Sequence, residues 1–322
     1  MNEHPPRLPD LEKYMEFFLE DAIKEGHRVN FGKQWIRLPS YSEIGDWDPN
    51  LTVSIVCVNW GSTSVLPPVF GSFAKQDYPR DQFEVLFVDD NSPDKEECIK
   101  VVKKLMRKHS DVKIRFFESH KSINWNCTRS TNIGIKRAVG DIIVFCESDT
   151  MLVGKDFLTA TVKHHSQRED LWLNPLCYGF LSERHRDECF ETDVDDIDRR
   201  DFVNPYESGL DIVTQPITWN GGSVRREQCV KMRGLDEGII GWGGMDGDFW
   251  ERMKRDGLAG GQDVTMQTIH MYRAPFMDQD PYYKHILPLA HGGSDGDLTS
   301  NGGTVANPDG WGEIDTLEEI TV

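Results

Sequence analysis

The sequence predicts an α/β domain built on a mostly parallel central sheet with helices on both faces. Short, nearly continuous apolar runs at residues 51–58, 83–88, 112–117 and 141–146 have the length and composition of buried strands. Helix-like stretches lie between most of these runs, and this alternation is typical of right-handed crossover units in a parallel sheet. Ligands of such sheets bind outside the carboxyl ends of the strands, so a site is expected at that edge.

The size and charge of the chain limit what it can be. Its 322 residues suffice for one large or two small domains with a sizeable core. With 54 acidic and 36 basic residues and a net charge of -18, most of the surface would repel a phosphate backbone, so nucleic acid is not an expected partner. No apolar run approaches the roughly 20 residues of a membrane span, and no signal peptide is apparent. Together with seven cysteines that include no C-x-x-C pair, these observations predict a soluble protein of the reducing cytoplasm.

Local signals place three helices. Ser92 as an N-cap followed by Pro93 predicts the start of one helix. Gly140 predicts the end of another helix, which runs from about residue 128 to residue 139. Residues 11–23 carry apolar side chains at helical spacing, which predicts an amphipathic helix packed onto the body of the protein.

Two segments have little periodicity. Residues 183–208 are acidic and contain arginine, which is consistent with an inserted loop or short helix near the site or with a solvated surface excursion. After about residue 276 the chain becomes rich in Gly, Asp and Asn, which predicts a flexible tail. We therefore divide the chain into an N-terminal helix and extension (1–50), a main domain (51–275, with halves 51–150 and 151–275) and a C-terminal tail (276–322).

Acidic side chains follow two of the predicted strands. Asp89 and Asp90 come directly after one strand, and Glu147, Ser148 and Asp149 come directly after another. Because parallel strands end at the same edge of a sheet, both clusters should open onto one site. A Glu-x-Asp turn can hold magnesium or manganese through carboxylate oxygens, although carboxylates at this position also cap helices. The sequence lacks a P-loop, a G-x-S-x-G elbow, an H-E-x-x-H motif and a G-x-G-x-x-G motif after a strand. The carboxylates are therefore the remaining candidates for the chemistry of the site.

A glycine-rich acidic segment, residues 241–250, leads into a further predicted helix. Its glycines would let the backbone approach a substrate closely, and Asp246 at the mouth of the helix is a candidate general base. In the alternative interpretation, the segment is a turn in which Asp246 only caps the helix. His270 lies in a strand-like run that would bring an imidazole to a metal, although a lone histidine in an apolar run is usually structural.

The order and spacing of these motifs resemble a known family. The nucleotide-sugar half of a GT-A glycosyltransferase of the family 2 type is similar to Val53–Val56 and to residues 83–92, 129–135 and 140–149. The acceptor half of galactosyltransferases and N-acetylgalactosaminyltransferases is similar to residues 219–223, 234–237 and 242–248. The resemblance covers about residues 50–275. It implies a GT-A fold and a metal-dependent inverting hexosyltransferase, with a nucleoside diphosphate sugar, expected to be a UDP-sugar, as donor and a carbohydrate or glycoconjugate hydroxyl as acceptor.

The resemblance also implies a role for each matched residue. Asp90 would bind the uracil or ribose, Trp60 would stack on the base, and Arg129 would lie near the nucleotide. Asp149 and His270 would bind Mn²⁺ or Mg²⁺, with Glu147 in the place of the first Asp of the family's D-x-D motif. Asp246 would be the catalytic base. The other matched positions are Asp89, Asn132 and Ser148 on the nucleotide and sugar side, and Gly221, Gly222, Glu237, Trp242, Gly243, Gly244 and Asp248 on the acceptor and sugar side.

Departures from the family pattern and two alternatives remain open. Glu147 is one methylene longer than the usual Asp, and Met245 replaces an acidic residue that contacts the sugar or acceptor, which leaves the identity of the sugar open. Gly247 also lowers the number of acidic residues in the segment that contains Asp246 and Asp248. A nucleotidyltransferase normally has a basic loop after the first strand, and residues 60–64 contain no Lys or Arg. A non-catalytic sugar- or nucleotide-binding protein could keep the same fold.

Overall fold

A mixed sheet runs through the centre of the molecule. The computed structural model describes residues 35–119, 127–180, 210–213, 220–239, 245–271, 303–313 and 317–321. The strands in these ranges are β1 (Trp35–Arg37), β2 (Val53–Asn59), β3 (Phe83–Asp89), β4 (Lys113–Ser119), β5 (Ile142–Glu147), β6 (Thr150–Val153), β7 (Leu171–Phe180), β8 (Leu210–Val213), β9 (Ser223–Arg225), β10 (Ala259–His270) and β11 (Leu317–Ile320). The helices there are α1 (Leu66–Ala74), α2 (Lys95–Lys108), α3 (Cys127–Arg137), α4 (Phe157–Gln167), α5 (Arg226–Lys231) and α6 (Met245–Arg255).

The nucleotide half contains four neighbouring parallel strands in the order β5-β2-β3-β4. Successive side chains of β2 point to opposite faces of the sheet, as the strand period of two requires. Ile55 packs with Phe70 of α1 in one core cluster, whereas Val56 packs with Ile133 of α3 and Phe249 of α6 in the other. The predicted α/β class, with helices on both faces of a mostly parallel sheet, is therefore confirmed.

The acceptor half extends the same sheet with mixed pairings. Strand β9 pairs antiparallel with both β5 and β7, and β10 runs parallel to β7. The short strand β6 pairs antiparallel with β10 and sets His270 opposite Thr150. This pairing brings the turn after β5 against the carboxyl end of β10, although the two segments are far apart in the chain.

The helix ends differ in detail from the sequence prediction. The helix expected at Ser92 begins at Lys95, and the Ser92 hydroxyl instead donates to Asp89 Oδ1 at 2.6 Å. Helix α3 ends before Gly140, where a Cβ would lie 2.6 Å from the backbone nitrogen of Ser54. A close approach to β2 therefore requires this glycine. Among the described residues, no helix is long and apolar enough to cross a membrane.

Parts of both predicted extensions belong to the folded body. Strand β1 pairs with β10, and β11 pairs antiparallel with β4. Residues 303–313 also pack on the domain, with Trp311 buried. The flexible tail predicted for residues 276–322 is therefore wrong for these described parts, because a few side chains supply contacts that the average composition does not reveal. The predictions for residues 11–23 and 183–208 lie outside the described residues.

Candidate active site

Two carboxylates and an imidazole meet at the carboxyl edge of the sheet. Asp149 lies in the turn between β5 and β6, and His270 ends β10. His270 Nε2 is 3.2 Å from Asp149 Oδ1 and 3.6 Å from Glu147 Oε2. One ligand atom from each of these three residues lies within 4.8 Å of the others. The backbone fixes the arrangement, since the amide of Met271 donates to the carbonyl of Asp149 at 2.8 Å.

This donor set fits a divalent cation. The Asp149 side chain is 0% exposed, whereas those of Glu147 and His270 are 25% and 34% exposed, so the cluster reaches from the interior to the surface. Two neighbouring carboxylates repel each other, and burial makes their negative charge more costly unless a positive charge accompanies them. Carboxylate oxygens with one imidazole suit manganese well and magnesium acceptably.

Glu147, Asp149 and His270 are here called the metal-type cluster. A pair of glycines, Gly221 and Gly222, bonds to β5 close to this cluster. Gly221 N donates to Phe145 O at 2.7 Å, and Phe145 N donates to Gly222 O at 2.8 Å. Gly221 has φ +93°, and a Cβ there would lie 2.6 Å from Cγ2 of Thr268. The two glycines are buried between strands and have a packing role, and their predicted contact with acceptor or sugar stays a prediction.

Asn220 completes this support. Its side-chain oxygen accepts from the Thr150 hydroxyl at 2.6 Å, and its carbonyl accepts from the Thr268 hydroxyl at 2.8 Å. These bonds fix the strands that carry Asp149 and His270. The sequence analysis did not select Asn220 or Thr150, although the position of Asn220 directly before the glycine pair was a usable signal.

Two carboxylates lie at the carboxyl end of β3: Asp89 is its last residue, and Asp90 begins the turn that follows. Asp89 is buried and accepts from Asn59 Nδ2 at 2.7 Å and from both the amide and the hydroxyl of Ser92. Burial raises its pKa, and these hydrogen bonds act in the opposite direction. Asp89 therefore orders the turn, and its predicted place on the nucleotide and sugar side stays a prediction. Its neighbour Asp90 is fixed by its amide, which donates to the Asn59 carbonyl at 2.8 Å.

A cleft runs from the cluster between the sheet, α3 and α6. It is largely apolar and is lined by Val56, Val58, Trp60, Cys127, Thr131, Phe145, Cys146, Glu147, Ser148, Leu235 and Met245. Cys127 Sγ and Met245 Sδ are 3.5 Å apart. Burial raises the pKa of the Cys127 thiol well above its ordinary value, and the charges of Asp90, Glu147 and Asp246 raise it further. Of these three carboxylates, Glu147 lines the cleft together with Cys127.

Asp246 lies in the first turn of α6, next to cleft-lining Met245. Its side chain is half-buried, and the amide of Gly247 donates to its Oδ1 at 2.9 Å. Burial raises the pKa of Asp246, which makes the ionised carboxylate a stronger base. Three residues of the predicted acceptor motif, Trp242, Gly243 and Gly244, lie outside the described residues.

Asp248 faces away from Asp246. Positions two apart on an α-helix are separated by about 200° around its axis. The Asp248 carboxylate accepts from Arg252 Nε at 2.8 Å, and both side chains are fully buried. Arg252 Nη1 in turn donates to Gly234 O at 2.9 Å. Through this pair, the Asp248 carboxylate anchors α6 to the domain, and its predicted contact with acceptor or sugar stays a prediction.

Asn132 and Glu237 also tie elements together. The Asn132 side chain bonds both the amide and the carbonyl of Leu235 at 2.8 Å, and its Nδ2 donates to Glu237 Oε1 at 3.0 Å. Glu237 Oε2 lies 3.5 Å from Nε of Arg129, whose side chain is 39% exposed. The structure therefore places these two residues in a bridge between α3 and residues 235–237, and their predicted ligand contacts stay predictions.

Two family models match the chain in succession. Residues 52–180 match the model described as glycosyl transferase family 2. Residues 221–285 match the model described as the N-terminal domain of galactosyltransferase. The first match covers the parallel strands and the acidic turn after β5, and the second includes α6 with Asp246 and the end of β10 with His270.

Curated relatives share part of their length with this chain. The poly(ribitol-phosphate) beta-N-acetylglucosaminyltransferase TarS of Staphylococcus aureus is 28% identical, over 35% of this chain and 19% of TarS. The uncharacterized glycosyltransferase YfnE of Bacillus subtilis is 27% identical, over 39% of this chain and 43% of YfnE. The chain therefore spans less than half the length of these relatives.

Solved structures show the same fold at low sequence identity. The mannosyltransferase PcManGT of Pyrobaculum calidifontis, in complex with GDP-Man and Mn²⁺, has a TM-score of 0.51 and 16% identity, covering 78% of this chain and 66% of that one. TarS 1-349 of S. aureus in complex with UDP has a TM-score of 0.51 and 16% identity, with coverages of 69% and 61%. GalNAc-T7 with UDP, GalNAc and Mn²⁺ has a TM-score of 0.51 and 15% identity, with coverages of 74% and 48%. The two family matches follow the order of the two halves of this sheet, so residues 52–180 match a glycosyl transferase family 2 domain, and the sheet has the fold of the solved glycosyltransferases.

Proposed function

We propose that this chain is a metal-dependent, inverting transferase that moves a sugar from a UDP-sugar to a hydroxyl group of a carbohydrate or glycoconjugate. The observation that carries the proposal is that Asp246, a candidate base, directly follows cleft-lining Met245 in the first turn of α6, and that Glu147 of the metal-type cluster lines the same cleft. Carboxylates whose pKa is raised by burial are common at catalytic sites, and this supports a base at that position.

The cluster would hold the cation and leave the base free for the acceptor. Glu147, Asp149 and His270 would be the ligands, and a bound Mn²⁺ or Mg²⁺ would neutralise charge on the departing diphosphate. Asp246 would accept the proton of the acceptor hydroxyl as its oxygen attacks the anomeric carbon. The bond from that carbon to the phosphate oxygen breaks on the opposite face, so the configuration inverts.

The nucleotide would occupy the end of the cleft formed by the first two parallel strands. Trp60 lines the cleft there, and Asp90 is held beside it by its backbone bond to Asn59. We propose UDP as the carrier because TarS and GalNAc-T7 were solved with UDP. PcManGT was solved with GDP-Man, so guanine donors belong in the test.

The cleft also suggests which sugar is transferred. Met245 and Cys127 line its wall with sulfur atoms, and Phe145 and Leu235 add apolar surface. Such a wall suits a methyl group better than a hydroxyl group, which would lose its hydrogen bonds with water on burial. We therefore propose a donor whose sugar carries an acetamido group, in line with the complex of TarS with UDP-GlcNAc.

A thermal-shift panel followed by turnover assays tests this proposal. UDP, GDP, UDP-GlcNAc, UDP-GalNAc, UDP-glucose, UDP-galactose and GDP-mannose are each compared with and without Mn²⁺, because a ligand of the folded state raises the melting temperature according to its affinity. We expect Mn²⁺-dependent shifts with UDP and larger shifts with the two acetamido sugars. Asp149→Asn should abolish the Mn²⁺ dependence, whereas the exposed-site control Asp170→Asn should retain it.

Two outcomes would contradict the proposal. Equal UDP affinity of the wild-type protein with and without Mn²⁺ would remove the metal from the binding step. Nucleotide binding without hydrolysis or transfer of any donor, tested with a panel of saccharide acceptors, would favour the non-catalytic alternative.

A further inference from the structure

Residues 303–313, here called the strap, cross the molecule beside the candidate active site. Trp311 of the strap is buried, and the ammonium group of Lys136 in α3 lies 4.8 Å from its ring centre. Gly312 has φ +65°, and a Cβ there would lie 2.7 Å from the Asn132 carbonyl oxygen. The strap therefore lies directly against α3.

Asn307 is the centre of the strap's contacts. Its Nδ2 donates to the carbonyls of Arg233 and Leu235, and its Oδ1 accepts from the amide of Glu237 at 3.0 Å. One side chain, only 6% exposed, thus satisfies three backbone groups in residues 233–237. The Gly312 amide adds a fourth bond to this segment, donating to Glu237 Oε1 at 2.7 Å.

The strap also contacts the helix that carries Asp246. Arg255, in the last turn of α6, donates from Nε and Nη2 to the Gly303 carbonyl at 3.0 and 2.7 Å. Residues 233–239 precede the Trp242 motif in the sequence, and α6 follows it. The strap therefore holds the chain on both sides of the segment that leads into Asp246.

We propose that Asn307 is a positioning residue for Asp246, acting through the strap. This inference rests on the proposed function of Asp246 as the base. A general base works only when its oxygen is held within hydrogen-bond reach of the acceptor proton, and misplacement by about 1 Å can cost on the order of 10²-fold in rate. Removal of Asn307 would take away the bonds described here for the Arg233 carbonyl and the Glu237 amide and one of two bonds to the Leu235 carbonyl, so residues 233–237 would move relative to α6.

The test compares Asn307→Ala with Asp309→Asn, a change in the same strap at a side chain that is 95% exposed. For Asn307→Ala we expect kcat to fall by about tenfold or more, with the Mn²⁺-dependent affinity for UDP within about twofold of wild type. Hydrogen–deuterium exchange should increase in residues 233–255 and stay unchanged in β2, β3 and β5. Asp309→Asn should match wild type in all three measurements, because exposed ion pairs contribute little.

Several outcomes would overturn the proposal. Unchanged kcat in Asn307→Ala, or parallel losses of kcat and UDP affinity with faster exchange throughout the sheet, would show that Asn307 does not position the base. If Asn307→Ala does not fold, Gly312→Ala, which displaces the strap from its other end, must give the same split between kcat and UDP affinity. If the wild-type chain transfers no sugar, the proposed function fails by itself. Unchanged exchange in residues 233–255 of Asn307→Ala would still overturn the strap's positioning role.

Discussion

The turn after β3 in the nucleotide half and residues 233–237 in the acceptor half have hydrogen-bond partners at different separations in the sequence. At the turn after β3, the partners of Asp89 are three to 30 residues away. In the acceptor half, Leu235 is tied to Asn132 over 103 residues and to Asn307 over 72 residues. The turn after β3 is therefore held by residues close to it in the sequence, whereas residues 233–237 depend on segments that arrive from elsewhere in the sequence.

The largest expected effect is a loss of turnover while nucleotide binding stays unchanged. Asp246→Asn keeps the shape of the side chain and removes its basicity, so we expect kcat to fall by about 10²- to 10⁴-fold. Mn²⁺-dependent binding of UDP, measured by calorimetry, should not change, because the nucleotide half is intact. Glu251→Gln in the same helix is the matched control and should retain activity. Unchanged turnover in Asp246→Asn would remove this residue as the base.

The next effect concerns the anchor of α6. Asp248→Ala would leave Arg252 buried without its carboxylate partner, and we expect a loss of about 3 to 5 kcal/mol in the free energy of unfolding. Urea denaturation measures this value. The double variant Asp248→Leu/Arg252→Met removes both charges and should recover much of the loss. Equal stability of Asp248→Ala and wild type would show that the pair does not hold the acceptor half together.

A smaller effect is expected from pH. His165 in α4 is fully buried with its Nε2 3.0 Å from the Ser223 hydroxyl, and burial lowers its pKa to about 3. Between pH 6.5 and about 3, the unfolded chain therefore binds a proton at this position that the folded chain does not. Stability should fall as the pH drops through this range, by up to about 1.4 kcal/mol per pH unit from this group.

His165→Asn provides the comparison for this pH effect. Its amide can keep a bond to Ser223 but does not titrate. The difference in unfolding free energy between wild type and His165→Asn should therefore decrease as the pH is lowered from 7 to 5. A difference that stays constant over this range would mean that His165 is not kept neutral by the fold.

The predictions from sequence succeeded where the signal was local. The four parallel strands were each visible as an apolar run, and Glu147, Asp149 and His270 come together as the motif order implied. Strand ends in a parallel sheet share an edge, so a residue's place in the sequence already limited its place in the fold.

The sequence did not reveal which partners the buried polar residues would meet. Asp248, Asn132 and Glu237 stand in motif positions, yet Arg252, Leu235 and Gly312 engage their side chains. A motif shows which residue types occur at which spacing, but it does not show which buried partner a carboxylate meets. The contacts of the strap were not predicted either. Only a few of its residues make them, and these lie among many small polar residues.

The strap also has a consequence for the order in which the protein forms during synthesis. Strands β2 to β5 leave the ribosome long before residues 303–313 exist, and the N-terminal parts of nascent chains generally fold first. A growing chain would therefore form the strands of its proposed nucleotide-binding surface before the segment around Asp246 gains its last hydrogen bonds. In that order, the nascent protein could bind a donor before it is able to transfer the sugar to a hydroxyl group.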